Sequence, residues 1–288
     1  MKNKRFIKRK DAVAGVIEAL LLVALASIVI STIQLVYIPQ TMEQRESEHM
    51  DDVENQFSYL KSVIDLQSIV KENVPISSPI TLGSRELPYF VTAKAFGQLE
   101  IIDEDSTDSR ITMNFPTIPS IPLTSIKYEA FNSYFVDQTY VLEGGCVIVK
   151  QSDGETVKIE PSITINNKSS ENKIEIIYNI PVINGIPGKN STNGYKNCFV
   201  RTNYSNQESY SMAEIDYIYI YTNYLDAWGA SLNKLLKEEV ENGYIVIEKR
   251  PILSPEYVSI TPSGGIHLYI ELTVTYVGAQ IGPGIVIP

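Results

Sequence analysis

The chain has 288 residues, with 24 Lys or Arg against 34 Asp or Glu, a formal net charge of −10. That acidity disfavours nucleic acid and anionic lipid as partners and favours solubility or cation binding. With only two His, the chain also excludes a paired-His zinc site, and no sequence signature of a Ser-His-Asp arrangement or of a glycine-rich nucleotide loop is present.

Residues 1–11 carry six basic side chains (Lys2, Lys4, Arg5, Lys8, Arg9, Lys10) and Asp11. They run straight into an apolar segment over residues 12–38, interrupted in its first half only by Glu18. As a helix this segment reaches ~40 Å, enough to cross a hydrocarbon core of about 30 Å. The basic cluster predicts that residues 1–11 form a cytoplasmic leader and that everything after Ile38 lies outside. An ordinary secretory signal has a shorter apolar core followed by a small-residue cleavage site, and neither is found before the polar chain begins. The segment therefore reads as a membrane anchor in contact with lipid. Small residues Ala14, Gly15, Ala19, Ala24, Ala26 and Ser27 permit close helix approach, or are simply tolerated in any membrane helix. A carboxylate in such a segment normally has a partner, so Glu18 either meets one in an assembly or sits at the headgroup level of a plain anchor.

Past Ile38 the sequence turns polar but keeps apolar residues at Met42, Met50, Val53, Phe57, Leu60, Ile64 and Ile69, several of them three or four apart. That spacing makes one apolar stripe on an amphipathic helix. Pro39 predicts a kink near the outer membrane face, and Asn73-Val74-Pro75 predicts the end. One helix is thus expected over residues 12–72, spanning the membrane over 12–38 and amphipathic over 40–72. The stripe at Val53, Phe57, Leu60 and Ile64 must be covered by a folded domain.

From Pro79 the pattern alternates with period two. Short runs at 79–82, 89–92, 98–102, 110–114 and 125–130 precede longer ones at 139–143, 146–151, 156–165, 173–183, 197–204 and 208–222. Gly144-Gly145 and Ser152-Asp153-Gly154 read as hairpin turns. A helix follows at 225–241, with Leu225, Trp228, Leu232, Leu235, Leu236 and Val240 on one face and Gly243 as its stop. Trp228 reads as core packing. Strands at 244–249, 257–261 and 266–276 finish the chain. The expected fold is α+β: the long helix packed on an antiparallel β-sandwich over residues 75–288, one extracellular domain with one additional helix.

Candidate sites are few. Cys146 and Cys198 permit one disulfide in an oxidising space or stand as two buried thiols. Sequons at Asn167, Asn190 and Asn203 mark expected surface loops open to glycosylation. Asp103, Asp105 and Asp108 could offer oxygens to Ca²⁺, but the run lacks the turn glycine and terminal Glu of an EF-hand and reads as a solvated hairpin tip. Ser231 and Lys234 match a Ser-x-x-Lys pattern by chance, since the companion motifs are missing. No enzymatic activity and no cofactor is expected.

Lys8-Arg9-Lys10-Asp11 followed by Ala12-Val13-Ala14-Gly15-Val16-Ile17 resembles the class III (prepilin-type) signal of archaeal type IV pilins. The resemblance extends to Tyr37-Ile38-Pro39-Gln40, to Phe57-Ser58-Tyr59-Leu60-Lys61-Ser62, to Ile80-Thr81-Leu82-Gly83-Ser84 and to the run from Val141 through Gly144-Gly145 to Ile148, as in archaeal pilin-like proteins. It implies that a prepilin peptidase cuts between Asp11 and Ala12. It also implies that Glu18 serves assembly, and that the partners are other pilin-like subunits in a surface filament.

Overall fold

The computed structural model describes residues 4–84, 95–114, 118–251 and 256–282, with side chains from residue 13 onward. The strand expected over 89–92 lies outside the described residues. The N-terminal helical part is one continuous rod. Helix α1 (Lys4–Thr32) begins inside the basic leader, earlier than the apolar pattern alone suggests, and α2 (Ile38–Val70) continues it.

Between them lies a π-helical segment, Ile33–Tyr37, in which the Ile38 N–H reaches back to the Ile33 carbonyl. Pro39 explains it: proline has no N–H and its ring crowds the carbonyl four residues earlier, so a wider turn just ahead of it relieves the clash. The expected disturbance at Pro39 thus takes the form of this bulge. The helix ends at Lys71, which adopts a left-handed conformation (φ 58°) and donates its N–H to the Gln67 carbonyl.

The rest of the described chain is mostly strand. In order come β1 (Ile76–Thr81), β2 (Phe96–Ile102), β3 (Arg110–Met113), β4 (Ile121–Pro122), β5 (Ser125–Phe131) and β6 (Thr139–Glu143). Then follow β7 (Cys146–Gln151), β8 (Gly154–Ile159), β9 (Ile163–Lys168), β10 (Lys173–Gly185), β11 (Ser191–Gly194) and β12 (Asn197–Ile215). The chain closes with β13 (Ile218–Tyr221), α3 (Leu225–Leu235), α4 (Lys237–Glu241), β14 (Ile245–Arg250), β15 (Tyr257–Pro262) and β16 (His267–Ile281).

These make three sheets, ordered β1-β12-β16-β10-β9, β11-β2-β5-β6-β7-β8 and β14-β15-β13-β3-β4. Among the described residues the strands pair antiparallel except β10 with β16, which run parallel over their whole shared length. The runs expected separately at 197–204 and at the start of 208–222 form one strand, β12, with irregularities at Tyr204/Asn206 and Tyr210/Ala213 where its pairing with β16 shifts. The expected run at 156–165 is instead two strands, β8 and β9, parted around Pro161, which has no N–H to give a ladder.

Two cores result. In the first, Val53, Phe57, Leu60 and Ile64 of α2 pack with Leu99, Tyr128, Tyr140, Leu142, Val147 and Val277, all nearly inaccessible. The second lies between the three sheets and α3, around Ile148, Tyr178, Ile220, Trp228, Ile260 and Ile270. β6 and β7 serve both: Tyr140, Leu142, Val147 and Val149 face the helix, while Val141, Cys146 and Ile148 face the second core. That is why these strands are apolar on both faces rather than alternating.

The turn between them is Gly144-Gly145, with φ of 55° and 79°. A Cβ at Gly144 would lie 3.0 Å from both Trp228 and the Tyr178 hydroxyl, so the turn conformation and the packing both require glycine.

Candidate functional site

The feature that asks for a partner is the exposed apolar half of the rod. Its residues are uncovered, Leu20 at 63% and Leu35 at 77%, and none of its most apolar window is buried in the fold. One helix is long and apolar enough to cross a membrane by length and composition. The hydroxyls of Ser27 and Thr32 donate to the carbonyls of Val23 and Ile28, which keeps these polar groups satisfied without water. Glu18 lies on this exposed segment. The helix also passes unbroken through Asp11 and Ala12.

The second half of the rod is gripped by the domain. The Glu46 side chain is fully buried, and its carboxylate accepts the backbone N–H groups of Ser133, Tyr134 and Phe135 at 3.1, 2.7 and 2.7 Å. One turn on, His49 lies at 3.0 Å from the Tyr128 hydroxyl, which itself donates to the Leu82 carbonyl at 2.9 Å. Burial pushes the His49 pKa down to about 4, against the pull of Asp52. Gln56 clasps Thr81 through both ends of its amide, donating to the hydroxyl and accepting the backbone N–H. Gln67 donates to the Thr202 carbonyl.

By sequence His49 falls on the polar part of the helix, and neither Glu46 nor Gln67 stands out. A signal was present. Glu46 stands four residues after Met42 and four before Met50, and Gln67 three after Ile64, so these residues continue the apolar stripe itself.

Beside His49 a polar cleft of about 630 Å³ opens, lined by Arg45, Glu48, Asp51, Asp52, Ser84 and Tyr195 among others. Among the described residues no group of three or more His, Cys, Asp or Glu is placed to hold a metal ion. Asp103, Asp105 and Asp108 are no exception: Asp103, at the start of a short 3₁₀ turn, accepts from Ser106 in that turn and from the distant Asn190 amide.

The chemistry in the second core is structural. Glu143 is fully enclosed and accepts from Thr222 at 2.7 Å and from the Trp228 indole at 3.0 Å. Desolvation raises its pKa to about 7, against the two donors. Ser231 and Lys234, the Ser-x-x-Lys pair, both bind Glu160, and Glu155 accepts the N–H groups of Asp226 and Ala227 in the first turn of α3. Two carboxylates from β8 and its flank thus dock α3 on the sheet, the first of them at the positive end of the helix. Trp228 is wholly buried, as its place on the apolar face of α3 requires.

The remaining expected sites are altered by the fold. Cys146 and Cys198 are not bridged. They are separate free thiols in different cores, Cys146 donating to the Glu143 carbonyl and Cys198 to that of Ile80. The three sequons do not cluster in loops. Asn167 is exposed on β9 but its amide donates to Glu239, Asn190 is half-buried and bonded to Asp103, and Asn203 lies within β12 with its amide on Asn73.

No protein-family model, curated protein or solved structure matches this chain. The functional reading therefore rests on the geometry and on the signal resemblance alone.

Proposed function

We propose that this chain is a pilin-like surface subunit, held in the cell membrane by a single pass and built to pack with similar subunits through its N-terminal helix. The observation that carries the reading is that one continuous rod is bare and apolar over residues 13–37 and buried in a domain over the stripe from Met42 to Gln67. The bare part alone is roughly 37 Å long. A mere tether needs no such grip, because a flexible linker would serve; a rigid joint between anchor and domain is what a subunit needs to repeat in fixed orientation.

In this reading the leader ahead of Ala12 is removed on the cytoplasmic side by a prepilin peptidase. The outer domain is a β-sandwich, with α3 as its added helix, that faces the outside for adhesion or contact. Glu18 meets a charge or donor on a neighbouring helix. The polar cleft beside His49 favours a second reading, a non-polymerising membrane-anchored binding protein.

The test has two parts. Mass spectrometry of the native protein should find a mature N-terminus at Ala12. Glu18→Gln should lower filament yield while leaving the outer domain folded, since it removes a charge in an apolar bundle and no core side chain. Intact residues 1–11 together with equal filament yield would overturn assembly in favour of the anchored binding protein.

A further inference from the structure

The end of the domain nearest the bare helix carries its own apolar cluster. Phe96 and Phe131, at 40% and 47% exposure, are cross-strand partners on β2 and β5 with ring centroids 5.9 Å apart. In the loop that follows, Tyr134 and Val136 are exposed at 38% and 45%, whereas Phe135 between them packs inward on the first core. This tip is not loose. The Asn132 N–H donates to Asp137 at 2.7 Å, the Asn132 amide donates to the Val136 carbonyl at 2.8 Å, and Glu46 holds the next three N–H groups. Tyr134 and Val136 are thus held outward by a clasp that pairs the backbone N–H groups of residues 132–135, beside Phe96 and Phe131 on their strands, and four such exposed side chains form an apolar patch that water does not favour.

Its height along the rod identifies the occupant. The contacts between α2 and the β5–β6 hairpin run from Phe57 and Glu54 on Tyr140, through His49 on Tyr128, to Glu46 on the loop. The tip is therefore the part of the hairpin closest to the apolar end of the helix. Glu46 lies eight residues past Ile38, roughly 12 Å along the axis, and helical side chains lean back towards the N-terminus, which brings the loop lower still. Headgroup layers extend about 5–8 Å beyond each side of the hydrocarbon core. Tyrosine and other aromatic side chains favour that layer, where an apolar body and a polar edge are both accommodated.

We propose that the tip formed by Phe96, Phe131, Tyr134 and Val136 docks into the headgroup layer of the bilayer that holds the helix, so that the domain rests on the membrane at a fixed tilt. The expected lipid is zwitterionic, since the acidic chain is repelled by an anionic surface. This rests on the membrane-spanning reading of the bare helix given above.

The experiment places a polarity-sensitive fluorophore on the full chain at Leu35→Cys, Val136→Cys or Ser170→Cys, in phosphatidylcholine nanodiscs with and without headgroup nitroxide lipid. The native thiols are buried and do not compete for label. Leu35 reports the span, and Ser170 lies in the exposed turn between β9 and β10, in a different sheet from β2 and β5 of the tip. Blue-shifted emission and nitroxide quenching at Val136, lost on adding Phe131→Ser with Tyr134→Ser, is the expected result. Quenching at Leu35 with Val136 behaving like Ser170 overturns the docking and leaves the span intact. An unquenched Leu35 overturns both. A blue shift at Val136 that persists in lipid-free assemblies and resists the nitroxide overturns it in favour of contact between copies of the chain.

Discussion

Two buried titratable groups in separate cores give the protein opposing responses to acid, and their separation is a strong test of the packing described above. His49 has its pKa lowered to about 4 by burial, against 6.5 when exposed, so its folded state refuses a proton that the unfolded chain takes up. Its contribution to stability is present above pH 6.5 and lost as pH falls towards 4. Glu143 has its pKa raised to about 7, against 4.5, so its folded state keeps a proton that the unfolded chain releases. Its contribution is full below pH 4.5 and lost as pH rises through 7.

Between pH 4.5 and 6.5 each group shifts stability by about 1.4 kcal/mol per pH unit, with opposite signs, so in the native chain they nearly cancel. Removing one uncovers the other. Relative to the native chain, His49→Gln should gain about 3 kcal/mol of stability on going from pH 6.5 to 4.5, and Glu143→Gln should lose about as much. The two sites belong to different cores and should add in the double variant. The assay is urea unfolding of the full chain in detergent or nanodiscs at four pH values, followed by the fluorescence of Trp228, the only tryptophan. Parallel pH profiles for the two variants would refute the buried placement of at least one group.

Truncating Phe57 to Ala should cost about 3–5 kcal/mol, because its ring is fully buried between α2 and β6; an unchanged unfolding midpoint would mean that the helix stands free of the domain. Glu46→Gln should cost about 2 kcal/mol, since an amide offers only one acceptor oxygen to three N–H groups, and amide hydrogen exchange at residues 133–135 should quicken while that in β10 and β16 does not. Burial pushes the Cys198 thiol up to about 12 and Cys146 well above its ordinary value, so neither should react with iodoacetamide until the chain unfolds. A disulfide between the two positions in the native protein, cleaved by a thiol reductant, would contradict their placement in separate cores.

Most secondary elements were legible because they depend on nearest neighbours in sequence. The three-and-four spacing of Val53, Phe57, Leu60 and Ile64 gives a helix wherever that face is buried, and the strands at 139–143 and 146–151 follow from β-branched runs around a Gly-Gly turn. The candidate site was only half legible. The bare apolar segment is a property of composition, but nothing local marks the acceptor role of Glu46, because that role depends on N–H groups up to 89 residues away.

That a long helix with an apolar first half precedes a β-rich region follows from the order of residues alone, since hydropathy and its period are local properties of the chain. Other features exist only once distant segments meet: the parallel pairing of β10 with β16, the two-faced burial of β6 and β7, the separation of Cys146 from Cys198, and the enclosure of Glu46, His49 and Glu143. A charged side chain is inexpensive to bury only when its partners are already in place, and those partners are assembled by chain closure over long loops, which leaves no periodic trace in the sequence.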